Sequence, residues 1–180
     1  MLYIVSGPSS VGKSIIVERF VEFNGFSRFV PFTSRQRRDN EGEIDGKEYH
    51  FRTRENLKDI SKNFVEGYWD FVFDHVYGYS KEISETVSSS KNYIILATTN
   101  IAMSIKRDFP STFIIYLDFL TQEELLKRIS DRFKPNDHLI KDKILNAETE
   151  RKKSIFYDMI LKNDDPNILY EELKKIIFYK

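Results

Sequence analysis

Short apolar runs alternate with longer amphipathic stretches along the chain. Leu2–Ser6 reads as a buried strand, and after a glycine-rich turn a helix is expected from about Lys13 to Phe23. Ser27–Phe32 is a second expected strand and Glu48–Arg52 alternates as a third, followed by a helix over Thr53–Ile60 with Thr53 as its N-cap. Trp69–Phe73 predicts another strand, in which Trp69, Phe71 and Phe73 share one face and are assigned to the core. A helix over Ser80–Ser90 leads to the two clearest buried strands, Tyr93–Ala97 and Phe113–Asp118, with a helix around Ile101–Asp108 between them. Thr121-Gln-Glu-Glu124 has the form of a capping box and opens a helix to about Arg132. Phe133–His138 is a loop or hinge, and a helix (about Leu139–Ser154), a strand (Tyr157–Leu161) and a helix (Pro166–Phe178) complete the chain. This rhythm is that of an α/β protein with a central, mostly parallel sheet flanked by helices. Thr33–Gly46, rich in Arg, Asp, Glu and Gly, breaks the rhythm and reads as a functional loop.

At 180 residues the chain has the length of one domain. It contains no cysteine, which excludes disulfides, thiolate metal sites and cysteine nucleophiles and suits a reducing compartment. Lys plus Arg and Asp plus Glu are 28 each, so no global field draws the chain to nucleic acid or to an anionic membrane. The apolar runs have strand length, well below the ~20 residues of a membrane span. Met1–Val5 is too short for a signal-peptide core and lacks a basic leader. The expectation is a cytoplasmic protein without a nucleic-acid or membrane partner. His50, His75 and His138 are scattered, with no metal-ligand spacing.

Gly7-Pro-Ser-Ser-Val-Gly12-Lys13-Ser14 fits G-x-x-x-x-G-K-[ST], between an expected strand and an expected helix, where the P-loop motif requires it. Glycines at both ends permit the tight path that aims successive N–H groups at phosphate oxygens, and the helix N-terminus adds partial positive charge there. Gly7, Ser9, Ser10, Val11, Gly12, Lys13, Ser14 and Ile15 are therefore the expected ATP or GTP cradle, with Lys13 bridging the β- and γ-phosphates and the Ser14 hydroxyl offered to Mg²⁺.

A second cluster, Thr33-Ser-Arg35-Gln-Arg-Arg38, places three arginines within four residues, with Tyr49-His-Phe51 downstream. Arginines match phosphate oxygens bidentately and a tyrosine hydroxyl adds a donor, so the cluster suits a second, already phosphorylated substrate. The other reading is a solvated loop that pairs internally with Asp39, Glu41 and Glu43.

With these motifs the chain resembles the guanylate kinase family over nearly its whole length. The family's pattern is matched by Gly7–Ser14, by Thr33-Ser-Arg35 with Arg38, by Gly42-Glu43-Ile-Asp-Gly46-Lys-Glu-Tyr49-His-Phe51, by Tyr77-Gly78, by Arg128-Ile-Ser-Asp-Arg132 and by Asn163-Asp164-Asp165. The resemblance implies a P-loop NTPase fold over residues 1–180, with a small acceptor-binding subdomain at about 33–80 and a lid at about 128–143. It implies ATP, with Mg²⁺, as donor and a nucleoside monophosphate, GMP or dGMP, as acceptor, in a monomer or homodimer. By the same resemblance Arg35, Arg38, Tyr49 and Tyr77 grip the acceptor's phosphate. Lys13, Arg128, Arg132 and Lys143 clamp the transferring group, and Asn163 lies near the adenine.

The chain departs from the family where guanine is read. Pro31 stands where the family has a serine, and Ala97-Thr-Thr99 replaces a D-x-D. Ungapped counting puts Tyr68 at the glutamate that reads the base, with Glu66 and Asp70 as candidates after two-residue shifts; Thr99 completes the candidate acceptor set. The arginine loop is also two residues longer, through Asp39-Asn-Glu41. Two other readings follow. Ribose 1,5-bisphosphate kinases also lack the aspartate pair, although Gly42–Phe51 is closer to the guanylate kinase pattern. Scaffold members of the fold bind proteins without catalysis, but these lose the lysine and arginines that this chain keeps.

Overall fold

The structure, a computed structural model, describes residues 1–57, 67–72, 74–119, 121–133, 136–162 and 165–178. Four parallel strands form the main sheet: β1 (Leu2–Ser6), β6 (Tyr93–Leu96), β7 (Phe113–Asp118) and β8 (Met159–Lys162), in the order β6-β1-β7-β8. β1 is buried along its whole length, as a strand covered on both faces must be. Its alternate side chains serve two cores. Tyr3 and Val5 pack with Ile16, Val17 and Phe20 of α1 (Lys13–Asn24) and with Leu169 and Leu173 of α6 (Pro166–Phe178). Leu2 and Ile4 pack on the opposite face with Ile83 of α2 (Ile83–Ser88) and with Ile101 and Ile105 of α3 (Thr99–Asp108). Each such fully buried side chain contributes roughly 1.5–3 kcal/mol.

The second sheet is small and mixed, in the order β3-β2-β5-β4, built from β2 (Phe32–Thr33), β3 (His50–Phe51), β4 (Gly67–Val72) and β5 (His75–Ser80). Register aligns Phe51, Thr33, Tyr77 and Asp70 in one row across the four strands, and His50, Phe32, Gly78 and Trp69 in the neighbouring row. Strand alternation therefore puts the two rows on opposite faces. Two helices, α4 (Gln122–Phe133) and α5 (Asp137–Arg151), form a hairpin with its own apolar cluster of Phe119, Leu125, Ile129, Ile140 and Ala147.

Local signals hold at several helix starts. Asn56 N donates to Thr53 Oγ1 at 3.2 Å, capping the helical residues 54–57; the rest of the helix expected to Ile60 lies outside the described residues. Glu124 N donates to Thr121 Oγ1 at 3.2 Å, but the Glu124 carboxylate binds Arg128 instead of closing the capping box. Asp165 Oδ1 accepts Asn167 N at 2.6 Å and so caps α6, which has Pro166 as its first residue.

Some expectations are corrected. Phe71 is 68% exposed and not in the core: on β4 it shares a face with Trp69, which lies across Gly67 and Gly78 on the outer side of the small sheet. Phe73 lies outside the described residues. The strand expected at Ser27–Phe32 is reduced to Phe32–Thr33, with Ser27 making one isolated bridge to Tyr93. The third expected strand shortens to His50–Phe51. Ser80, read as the start of a helix, instead ends β5, because hairpin pairing with β4 satisfies the backbone groups of residues 75–80, and the helix begins at Ile83.

Candidate active site

The turn after β1 opens on the carboxyl end of the parallel strands, where ligands of open α/β sheets bind. Gly7 has φ +139°, and a Cβ there would sit 2.2 Å from the Leu117 carbonyl oxygen, so only glycine allows this close approach to β7. Gly12, at φ +96°, precedes α1 without a side-chain cap, and the first N–H groups of that 12-residue helix remain for an anion. Lys13 Nζ donates to Gly7 O at 2.8 Å and Pro8 O at 2.7 Å, which holds the ammonium against the loop it closes. Burial lowers its pKa to about 8; the negative charge of Glu150 opposes that shift and Arg132 adds to it. Ser14 is exposed at the start of the helix.

A cleft of about 540 Å³ brings together Lys13, Ser14, Arg35, Arg38, Tyr49, Tyr77, Arg128, Arg132 and Lys143. Gly7, Ser9, Ser10, Gly12 and Ile15 line it too, whereas Val11 is a buried core residue beneath the loop. The small sheet supplies the wall opposite the P-loop. Arg35 is buried, with its guanidinium carbon 5.5 Å from the ring centroids of both Tyr49 and Phe51. The Tyr49 and Tyr77 rings meet edge to face at 5.9 Å, and burial raises the Tyr49 pKa. Arg35 holds a two-point ion pair with Glu43, at 2.6 and 3.0 Å. Arg37 pairs with Asp39 at 2.6 Å and Arg38 with Glu41 at 3.2 Å. The loop thus pairs internally and also presents Arg35 and Arg38 to the cleft.

The helical hairpin supplies the remaining cations. Lys143 Nζ lies 3.4 Å from Ser9 Oγ and 4.5 Å from the Phe133 ring centroid. Burial lowers its pKa to about 8, and the charges of Arg38, Arg132, Lys13 and Arg35 push in the same direction. Arg128 is paired with Glu124 one turn away, and Arg132 with Glu41 across the cleft.

Several expected residues lie elsewhere. Asp70 accepts from Thr98 Oγ1 at 2.5 Å and from Asn100 Nδ2 at 3.1 Å, so its carboxylate ties β4 to the start of α3. Tyr68 donates to Asp108 at 2.9 Å. Thr99 is corrected: its buried hydroxyl contacts Ser6 Oγ at 3.2 Å and Tyr157 OH at 3.1 Å, while its neighbour Thr98 lines the cleft. Helix α3 starts at Thr99, which turns that side chain under β1. Glu66 and Asn163 lie outside the described residues.

Arg28 and Glu150 are among the cleft residues that escaped sequence reading. Arg28 lines the cleft and donates through Nη2 to the Glu48 carbonyl at 3.0 Å. Glu150 is buried on α5, and burial raises its pKa against the pull of Lys13 and Lys153. A signal for Glu150 was present: Ile140, Lys143, Ala147 and Glu150 form the buried stripe of the helix, and two charges on such a stripe point to a site. Among the described residues no group of three or more His, Cys, Asp or Glu could hold a metal. A divalent ion here would rest on the Ser14 hydroxyl and on phosphate oxygens. No helix among the described residues is long and apolar enough to cross a membrane.

The guanylate kinase family profile matches residues 1–180. The guanylate kinase of Lactiplantibacillus plantarum is 32% identical over 181 residues, covering 98% of this chain and 86% of that one. The guanylate kinase of Lactococcus lactis subsp. lactis is 29% identical over 180 residues, again covering 98% and 86%. Among solved structures, the guanylate kinase from Anaplasma phagocytophilum has a TM-score of 0.76 at 21% identity, covering 98% of this chain and 84% of that one; this likeness concerns the fold.

Proposed function

Because the chain belongs to the guanylate kinase family and is a nucleoside monophosphate kinase, we propose that it transfers the γ-phosphoryl group of ATP to GMP or dGMP, giving ADP and the diphosphate. The observation that carries this reading is the convergence on one cleft of the P-loop lysine with Arg35, Arg38, Tyr49 and Tyr77 from the small sheet and Arg128, Arg132 and Lys143 from the helical hairpin. Residues 33–80 form the acceptor-binding part in this reading, and 128–143 the lid.

An anionic phosphate oxygen is already a nucleophile, so the reaction needs charge neutralisation, alignment and exclusion of water more than a general base. The P-loop amides and Lys13 would receive the β- and γ-phosphates. Arg35 and Arg38, with the Tyr49 and Tyr77 hydroxyls, would orient the acceptor phosphate opposite them. Arg128, Arg132 and Lys143 would balance the charge that spreads over the transferring group, and closing the lid would expel water. Mg²⁺, held by Ser14 Oγ and phosphate oxygens, would supply further neutralisation of the β- and γ-phosphates.

A second acceptor class is favoured by one observation. Pro31, Leu96, Ala97 and Thr98 line the cleft where the family's base-reading groups are expected, and the Asp70 carboxylate is already engaged by Thr98 and Asn100. This supports relaxed base selection or a sugar phosphate such as ribose 1,5-bisphosphate. The test is ADP release from Mg·ATP with GMP, dGMP, AMP, CMP, UMP, dTMP and ribose 1,5-bisphosphate offered separately. Fast turnover with GMP or dGMP is expected. Turnover confined to another acceptor refutes the base assignment, and silence with all of them, with ATP still bound, favours the non-catalytic binding module.

A further inference from the structure

Glu41 is the carboxylate that two cations of the cleft share. It sits in the 3-10 turn Asp39–Glu41, between β2 and β3. Arg132 meets it side-on, with Nε donating to Oε1 at 3.0 Å and Nη2 to Oε2 at 2.5 Å. Arg38 Nη1 donates to the same Oε2 at 3.2 Å. One carboxylate therefore ties an arginine of the small-sheet loop to an arginine of α4 that lies 91 residues beyond Glu41 in the chain. The guanidinium carbons of both arginines lie 5.5 Å from the Phe133 ring centroid.

The geometry separates holding from blocking. A guanidinium has five N–H donors in a fixed fork, and Glu41 takes one from Nε and one from Nη2. Among the described residues no acceptor takes the other three, which can therefore meet phosphoryl oxygens. Arg132 lines the cleft in this arrangement, and its charge acts on both Lys13 and Lys143. Lys13, Arg35, Arg38, Arg132 and Lys143, gathered around one cleft, repel one another, and a carboxylate among them offsets that repulsion before any phosphate arrives. Arg132 in turn lowers the Glu41 pKa to about 2, so the pair stays ionised at neutral pH.

We propose that Glu41 is a positioning residue: it holds Arg132 by one edge, so that the free edge meets the transferring phosphoryl group, and it couples acceptor binding at Arg38 to placement of the lid arginine. This rests on the kinase reading above. The first test compares Glu41→Gln with the unaltered protein in steady-state kinetics, and in binding of a non-hydrolysable ATP analogue with and without GMP. The expected result is a kcat lower by about tenfold, with the KM of each substrate within about twofold and the mutual tightening of the two ligands lost. Glu41→Asp, which keeps the charge, recovers part of kcat. Unchanged kcat overturns the proposal, and so does a fall in the acceptor KM, which would make Glu41 a competitor of substrate.

The second test is independent of turnover. The natural chain has no cysteine, so Lys47→Cys and Lys127→Cys place two spin labels at exposed positions on the two sides of the Glu41–Arg132 contact. Without ligand, Glu41→Gln should broaden the label-to-label distance distribution. An unchanged distribution overturns the proposal, whichever acceptor the protein uses.

Discussion

Lys143 Nζ lies 3.4 Å from the Ser9 hydroxyl, although 134 residues separate the two in the chain. The contact brings the second helix of the hairpin onto the P-loop, and burial lowers the pKa of that ammonium to about 8. Replacing Lys143 with Met keeps most of the apolar stem and removes the charge. The expected outcome is a kcat lower by at least tenfold, or about 1.4 kcal/mol of transition-state stabilisation, with a thermal midpoint equal to or above that of the unaltered protein. Lys143→Arg should retain much of the rate. Equal rates for the Met and Arg variants would remove Lys143 from the reaction.

Lys13→Ala should abolish turnover and leave the far-ultraviolet circular dichroism spectrum unchanged. The two bonds from its ammonium go to carbonyls of the P-loop itself, so the cores on either face of the main sheet do not depend on it. Turnover in this variant at the unaltered rate would refute the P-loop assignment.

Arg35 and Arg38 should separate the two substrates. A charge-assisted hydrogen bond is worth about 1.5–3 kcal/mol, so Arg35→Ala and Arg38→Ala should each raise the acceptor KM by roughly 10- to 100-fold and change the ATP KM little. Arg35→Ala also leaves the Glu43 carboxylate without its two-point partner, so its melting temperature should fall further than that of Arg38→Ala. Equal rises in both KM values would contradict the acceptor role.

Gly7→Ala tests the turn. The added methyl meets the Leu117 carbonyl oxygen at a φ that L-residues rarely adopt. Both strain terms are expected to exceed 1 kcal/mol, enough to lower the thermal midpoint by several degrees in a domain of this size and to eliminate ATP binding. Unaltered ATP affinity would show that the loop tolerates a different path.

Alkaline pH should move affinity and stability in opposite directions. Lys13 and Lys143 have pKa values lowered to about 8 in the folded protein, against roughly 10.4 for an unperturbed lysine. Above pH 8 both lose the charge that phosphate binding uses, so the ATP dissociation constant should rise by about tenfold or more between pH 7 and pH 9. Between pH 8 and pH 10 the unfolded chain holds more protons at these two sites, so their contribution to stability rises with pH. Nucleotide titrations and thermal melts in the same buffers check both signs.

What the sequence by itself determined is local. Strand β1, the P-loop and helix α1 follow one another within the first 24 residues, and each is specified by its own pattern: an uninterrupted apolar run, glycines at the tight turn, an amphipathic continuation. Helix α6 was legible to its end residues because Asp165 and Pro166 mark its start. Arg35 and Arg38, and Arg128 and Arg132, were legible as residue types at fixed spacings.

Tertiary structure alone decided the long-range pairings. β5 carries Gly78 opposite Trp69 and is a strand because β2 and β4 flank it, which short-range propensity does not encode. Phe71 has the spacing of a core residue but lies on the outer face of a sheet edge. Thr98 and Thr99 are neighbours in sequence, and the start of α3 sends one to the cleft and the other beneath β1. Glu41 and Glu150 meet charged groups that are remote in sequence, and Lys143, singled out in the sequence by resemblance, meets Ser9 only through the fold. The physical reason is the range of the interactions: caps, glycine turns and periodicity act within a few residues, whereas burial and ion pairing depend on which distant surfaces the fold brings together.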